Sequence, residues 1–246
     1  MLPRAKGGGV NSGPLIFLGL LASMAISWFT FVLGPVVQLG ALQQTNTVSS
    51  LPVPYPNNVP GQAHQGAEIY RANGCAYCHT QQARAAELGP DLQLGWGIRR
   101  SVAHDYIFSD PVMLGSLRIG PDLANAGARM DVTNVLYRLY DPRIVNNLDR
   151  GHSLMPSYQY LFNVRKVGRV PSPEALMVPA QYARPGYEIV PRPAAWALAA
   201  YVVSLRQAPY LFEAPPPLGM TNLPAGGTNA PGTNSPAMPT TNASPK

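Results

Sequence analysis

Between Lys6 and Glu68 the chain carries no charged side chain, and inside that stretch lies the run LIFLGLLASMAISWFTFVL, Leu15 to Leu33. Nineteen residues at about 1.5 Å of rise give about 29 Å, close to the hydrocarbon thickness of a bilayer. The run is apolar on every side, so it lacks the polar face that a surface helix of a soluble domain turns to water. A cleaved signal peptide would have an apolar core of about 7 to 15 residues ending at a small-x-small site. This run continues through Trp28 and Phe29 and reads as an uncleaved transmembrane anchor over residues 14–42, with a kink at Gly34-Pro35. Arg4 and Lys6 precede it and no positive charge comes after it for many residues. Residues 1–13 are therefore expected in the cytoplasm and the bulk of the chain in the periplasm, across a bacterial inner membrane.

Composition divides the rest of the chain. Only 12% of the residues are charged, while 27 are proline and 23 glycine, which suits a small folded part flanked by other material. TNTVSSLPVPYPNNVPGQ lies within a Pro/Asn/Ser connector, residues 43–64, that is semi-rigid rather than freely swinging. Residues 65–208 have a globular composition. Residues 209–246, rich in Pro, Thr, Asn and Gly, cannot bury enough apolar surface to fold and are expected to be disordered. The net charge of +6 comes without a lysine-rich run or a recognisable binding module, so nucleic acid is not an expected partner.

Helices are expected in the globular part. GAEIYRANGCAYCH puts Ile69, Ala72 and Ala76 on one stripe. DVTNVLYRLYDP begins at Asp131 as an N-cap and ends before Pro142. RPAAWALAAYVVSLR begins at Pro193, a good first-turn residue. An all-α domain of short helices and Gly/Pro loops is small for its own core, and a bound cofactor would supply what side chains do not.

The stretch GCAYCHT holds both cysteines, Cys75 and Cys78, and places His79 directly after the second. Three chemistries use such a spacing. A redox dithiol needs no following histidine and expects a βαβ setting; a zinc site needs further ligands, and His64, His104 and His152 are scattered. The third is covalent haem c, with thioethers at Cys75 and Cys78 and His79 as the proximal iron ligand, and it accounts for all three residues.

The opposite face of the iron then needs a ligand or an open position. Met155, in HSLMPSY, sits in a loop stiffened by Pro156 and is favoured over Met113, Met177 and Met130; it could otherwise be a gap-filling core methionine. His152 and His104, in polar loops, fit solvated positions better. A ligating imidazole usually donates its second N–H to a carbonyl or carboxylate. The tetrapeptide GPDL occurs at 89–92 and 120–123, so Pro90 or Pro121 could provide that acceptor. Arg84, Arg118 and Arg129 are candidates to pair with haem propionates.

Taken in order, GAEIY-x4-CAYCHTQ, SLRIGPDLANAGAR, LYDPRIVNNLDRGHSLMPSY and a last helix ending ALAAYVVSL resemble the mono-haem subunit (FixO/CcoO) of cbb3-type cytochrome c oxidases. The RIGPDLANAGAR and DPRIV…SLMPSY blocks make the match specific. The resemblance implies a class I cytochrome c fold behind one transmembrane helix, with His79 and Met155 as axial ligands and Pro121 as the backbone partner of His79. It implies that electrons arrive from a di-haem c subunit or a soluble electron donor. They pass on to haem b in the large haem–copper catalytic subunit, where oxygen is reduced, so this chain would carry electrons and no oxygen chemistry. It also implies a calcium ion at the interface with that large subunit, for which Ser101 is the matching serine. The chain departs from the family in three places: a basic segment at 163–186, FSDP where a histidine precedes the turn, and the long tail. A free-standing membrane-anchored cytochrome c shuttle is the alternative; a haem-based sensor, which would work without Met155, is a weaker one.

Overall fold

The computed structural model describes residues 12–47, 54–59, 61–146, 153–207 and 210–215. The expected cytoplasmic segment up to residue 11, part of the connector, His152 and the tail from residue 216 lie outside them. The chain forms two compact units, Met1–Gln43 and Gln44–Lys246.

The first unit is one helical rod: α1 (Gly13–Trp28), a wider π-helical turn at Phe29–Leu33, and α2 (Gly34–Leu39). Together they span 27 residues at a mean hydropathy of 2.1, with nothing buried inside the chain, which is long and apolar enough to cross a membrane. The π turn has a local cause. Pro35 has no N–H to donate and its ring crowds the carbonyl four residues back, and the wider turn makes room just ahead of it. The hydroxyls of the rod close on its own backbone. Thr30 Oγ1 donates to the Ile26 carbonyl at 2.8 Å and Ser23 Oγ to the Leu20 carbonyl at 2.8 Å, so neither needs water.

The second unit is mainly helical. Its helices are α3 (Gly61–Ala72), α4 (Val132–Tyr140), α5 (Arg143–Asn146) and α6 (Pro193–Ser204), joined by short 3-10 turns. The core lies where α3 and α4 pack on α6. Pro193 opens α6 and Arg192 is its N-cap, while Ala195, Leu198, Ala199 and Val202 are buried on it. These small and medium side chains let α3 come close. At Gly66 an added Cβ would lie 1.9 Å from the Ala197 carbonyl oxygen, so the two backbones are in contact there. One turn on, the rings of Tyr70 and Tyr201 pack edge to face at 5.3 Å, a favourable arrangement for their quadrupoles. In α4, Asp131 caps the first turn by accepting from the Asn134 N–H at 2.7 Å. Val135, Leu136, Leu139 and Tyr140 are buried on this helix.

Two short strand pairs accompany the helices. β1 (Thr45–Asn46) pairs antiparallel with β2 (Pro54–Tyr55), and β3 (Phe162–Lys166) with β4 (Tyr187–Pro191) in the register Phe162↔Pro191 to Lys166↔Tyr187. In the second hairpin β3 opens the basic segment 163–186 and β4 follows it. Its loop folds back, with the Leu176 N–H on the Ile189 carbonyl at 2.8 Å. It is pinned by buried Glu188, which accepts from the Ser172 N–H, Ser172 Oγ and Arg165 Nε, each at 2.7 Å. Those donors, the Ser172 backbone first, hold the Glu188 carboxyl at about 2. Hydrogen-bonded charge replaces apolar alternation here, so no period-2 pattern marks these strands in the sequence.

The ends of the globular stretch are also tied down. Tyr55, from the connector, is buried against Leu211 and Val102, and its hydroxyl donates to Asp105 at 2.7 Å. Asp105 in turn pairs with fully buried Arg99 at 2.6 Å. Residues 210–215, expected to be disordered with the tail, are packed instead. Leu211 and Ala214 are buried, and the Glu213 carbonyl accepts from Arg100 at 2.5 Å. Leu211, packed with Tyr55 and Val102, anchors a stretch whose composition gives no sign of it.

Candidate haem-binding site

α3 stops at Ala72 because Asn73 turns its side-chain amide back onto the Ile69 carbonyl (2.7 Å) and Gly74 takes a left-handed conformation, φ +69°, where a Cβ would be strained. A 3-10 turn over Cys75–Tyr77 comes next, and the N–H groups of Cys78 and His79 both point at the Cys75 carbonyl, at 3.1 and 3.0 Å. Two thiols and an imidazole thus hang from one tight turn. Burial pushes the Cys75 thiol up to about 11. A redox-active cysteine needs the opposite shift.

His79 is held on its far side by the segment 114–123, which runs along 76–82. The Ser116 N–H reaches the Ala76 carbonyl (3.1 Å), the Gly120 N–H that of Cys78 (2.8 Å), and the Leu123 N–H that of Thr80 (2.7 Å). The approach needs two glycines: a Cβ at Gly115 would lie 2.3 Å from the His79 carbonyl oxygen, and one at Gly120 2.3 Å from His79 Cε1. The fit brings His79 Nδ1 to 2.8 Å from the Pro121 carbonyl oxygen. A carbonyl only accepts, so Nδ1 carries the proton and Nε2 keeps the lone pair. Burial holds the imidazole pKa below its usual value, against the raising effects of the Pro121 carbonyl and Asp122. The ring is therefore neutral at pH 7. The carbonyl of Pro90 is engaged elsewhere, accepting from the Leu94 N–H at 2.9 Å.

The repeated GPDL has a structural meaning that its prolines alone do not carry. Both aspartates, Asp91 and Asp122, are fully buried and take up backbone N–H groups of the strip just beyond His79. Asp122 accepts from Thr80 Oγ1 (2.6 Å) and the Gln82 N–H (2.8 Å). Asp91 accepts from the Arg84 N–H (2.8 Å). Arg118 links them, donating to both oxygens of Asp91 at 2.6 Å and approaching Asp122 at 3.5 Å. Arg84 also pairs with Asp91, at 3.2 Å. Two of the guanidiniums expected to meet propionates, Arg84 and Arg118, therefore already face a carboxylate. Half-buried Arg129 differs: it donates to the Asp122 carbonyl at 2.5 Å, but its buried Nε has no hydrogen-bond partner. The signal for the aspartates was the repeat itself, each acid two residues after a glycine in a tight loop.

Of the methionines, Met155, Met113 and Met130 are half-buried against the main core, whereas Met177 is exposed. Met155 lines a cleft of about 230 Å³ with Pro142, Arg143, Ser153, Pro156 and Ser157. His104 lies apart, its ring against Glu213 in the stretch 210–215. Ser101 is used internally: its Oγ accepts from the Ala83 N–H at 2.9 Å and meets Gln207 Nε2 at 3.1 Å. Among the described residues no three His, Cys, Asp or Glu side chains gather as a metal cluster. Asp105, near Ser101, is committed to Arg99 and Tyr55. These residues alone do not compose a calcium site.

The donor set does fit a haem. Two sulfurs and an imidazole with a free Nε2 share one turn, and the exposed apolar side chains Tyr77, Leu114, Leu117 and Ile119 border it. The Arg129 guanidinium, whose buried N–H lacks a partner, is close enough to His79 to act on its charge. No curated protein matches the chain at a significant level. Residues 23–177 match the protein family described as cytochrome c oxidase, mono-heme subunit/FixO. That range takes in the whole Cys75–His79 turn, both GPDL loops and Met155, and with more than half of its length matched the chain belongs to the family of mono-haem cytochrome c oxidase subunits.

Proposed function

We propose that this chain is the electron-entry subunit of a cbb3-type terminal oxidase, held to a bacterial inner membrane by the Gly13–Leu39 helix with its second unit in the periplasm. That unit is read as a class I cytochrome c domain, and the contact of α3 with α6 at Gly66 supports the reading. Cys75 and Cys78 hold one haem c through thioethers, and His79 Nε2 and Met155 ligate its iron. The observation that carries the reading is the Nδ1-to-Pro121 hydrogen bond, which orients the ring, selects its tautomer and leaves Nε2 for a metal.

Haem c supplies reversible one-electron chemistry at the potential its axial ligands and surroundings set. The chain's own residues do the rest. The Asp91–Arg118–Asp122 network and the two close-packed glycines fix the strip that bears His79, so the ligand need not rearrange when charge changes. Arg129 offers an N–H to a propionate. The domain passes electrons from a di-haem c subunit or a soluble donor to the large haem–copper catalytic subunit, where oxygen is reduced; no proton or bond is handled on this chain.

The test is a reduced-minus-oxidised spectrum of the tagged protein purified in mild detergent from its own membranes. Haem b bands that respond to carbon monoxide, beside haem c bands, are expected. Haem c alone, with no oxygen consumption, would instead make the chain a free-standing shuttle.

A further inference from the structure

The hairpin of β3 and β4, with the segment 163–186 as its first strand and loop, is a surface with its own character. β4 lies between β3 and Leu176, so β3 pairs on one side only among the described residues. Its far end gathers cations. Lys166 pairs across the strands with Tyr187, Arg184 stacks on the Tyr187 ring at 4.1 Å, and Arg169 lies three residues beyond Lys166, just past the Val167 N–H that extends the ladder to the Gly186 carbonyl at 3.0 Å. All three are exposed. No acidic residue occurs at 166–171 or 182–187; Glu188 is buried and committed to Arg165 and Ser172. Exposed apolar side chains are interspersed: Val164, Val170 and Met177 are 48, 78 and 74% accessible.

The base of the hairpin adjoins the site. β3 follows the stretch Tyr158–Leu161, where Tyr160 hydrogen-bonds Asn73, two residues before Cys75. The loop's Tyr182 ring faces Arg143, which lines the Met155 cleft. Five residues of strand at about 3.3 Å each put the cationic end about 17 Å from that base.

We propose that this hairpin is the docking face for an acidic electron-carrier protein, whose carboxylate-ringed redox edge is steered by Lys166, Arg169 and Arg184 and seated on Val164, Val170 and Met177. The proposal rests on the electron-entry reading. An anionic lipid surface would also attract the cations, but the assignment to a carrier rests on the hairpin's continuity with the Cys75 and Met155 segments. Charge at a protein's rim acts mainly on encounter and its salt dependence, and apolar contacts give the seat.

The test uses the full-length protein in its detergent-solubilised assembly and two forms of one probe: a basic, lysine-rich cytochrome c and the same protein succinylated to be acidic. Binding is measured by interferometry at about 0.01 and 0.15 M ionic strength, where the Debye length is about 30 and 8 Å. The acidic form is expected to bind at least about tenfold more tightly at low salt and to lose that advantage at high salt. Lys166→Glu with Arg169→Glu should remove it; neither residue packs in the core, and an unchanged melting temperature checks the fold. Equal binding of the two forms, or indifference to the double substitution, overturns the proposal. So does a double variant that keeps its preference for the acidic probe while losing affinity for phosphatidylglycerol vesicles, which would make the hairpin a membrane contact. A spectrum of the same sample separates the two readings: without haem c bands the electron-entry reading fails whatever the probe does, whereas haem c bands with no charge preference sink the docking proposal alone.

Discussion

Asp91 is where the fold around the site is most exposed to a single change. Its carboxylate is fully buried and receives three donors from Arg84 and two contacts from Arg118. Removing one partner of a buried pair costs about 3–5 kcal/mol, because the remaining charge is left unpaired. Here the remaining charges can partly rehydrate, since the Arg84 and Arg118 side chains are 41 and 18% accessible, so Asp91→Ala should cost about 2–4 kcal/mol. At about 2–4 °C per kcal/mol for a domain of this size, the melting temperature should fall by about 5–15 °C. The assay is far-ultraviolet circular dichroism on heating at pH 7, with exposed Glu174→Ala as the control expected within about 0.5 kcal/mol of wild type. Burial alone would raise the Asp91 pKa, but the hydrogen bonds from Arg118 and Arg84 bring it below the usual carboxylate value. A depressed folded-state pKa gives stability that is fully present above the unfolded value of about 3.9 and is lost as pH falls through the folded one. The gap between wild type and variant should therefore be constant from about pH 5 to 7 and close only below about pH 4. Equal melting temperatures at pH 7, or a gap that closes near neutrality, would refute the reasoning.

Other perturbations reach other parts of the molecule. Gly66→Ala would drive a methyl into the Ala197 carbonyl at the α3–α6 crossing; a loss of about 3 kcal/mol or more is expected in the same melting assay. Met155→Leu should leave the haem attached but abolish the thioether–iron charge-transfer band of the oxidised protein and lower its reduction potential, while Met113→Leu changes neither; spectropotentiometry reads both. The Glu188 carboxylate, held at about 2, should keep the loop 167–186 resistant to limited proteolysis down to about pH 3. Protection should be lost as the pH falls through about 2, whereas Glu188→Gln should open the loop to cleavage at pH 7.

Local rules found the elements whose signals are local. Asp131 caps α4 and Pro193 opens α6 as propensity dictates, and the apolar run is the long helix, with its π turn placed by Pro35. The hairpin of β3 and β4 was not legible. It is held by one buried glutamate and a fold-back of Leu176, contacts between residues 13 to 23 positions apart that no window of alternation contains. Residues 210–215 escaped for the same reason, since Leu211 is buried only because Tyr55 and Val102 lie beneath it. Around the site, the spacing of Cys75, Cys78 and His79 marked the turn that brings the three side chains together, and the GPDL repeat offered two prolines without choosing between them by geometry. The structure puts Pro121 on His79 and turns Pro90 to Leu94 because Gly120, not Gly89, faces the imidazole. The arginines were legible only as charges. Which of them face Asp91, and which keeps an unused N–H, depends on burial that the sequence does not display.

That Cys75 and Cys78 carry a covalent haem is the central chemical claim, and a mass measurement reaches it most directly. The protein, purified from membranes and fully denatured to strip non-covalent ligands, is weighed intact and digested, beside Cys75→Ser and Cys78→Ser variants. The expected result is a gain of one haem mass, confined to the peptide with residues 75–79 and absent when both cysteines are replaced. A bare polypeptide mass from wild-type protein matured in a host that makes c-type cytochromes would contradict the claim, and with it the proposed role in electron entry.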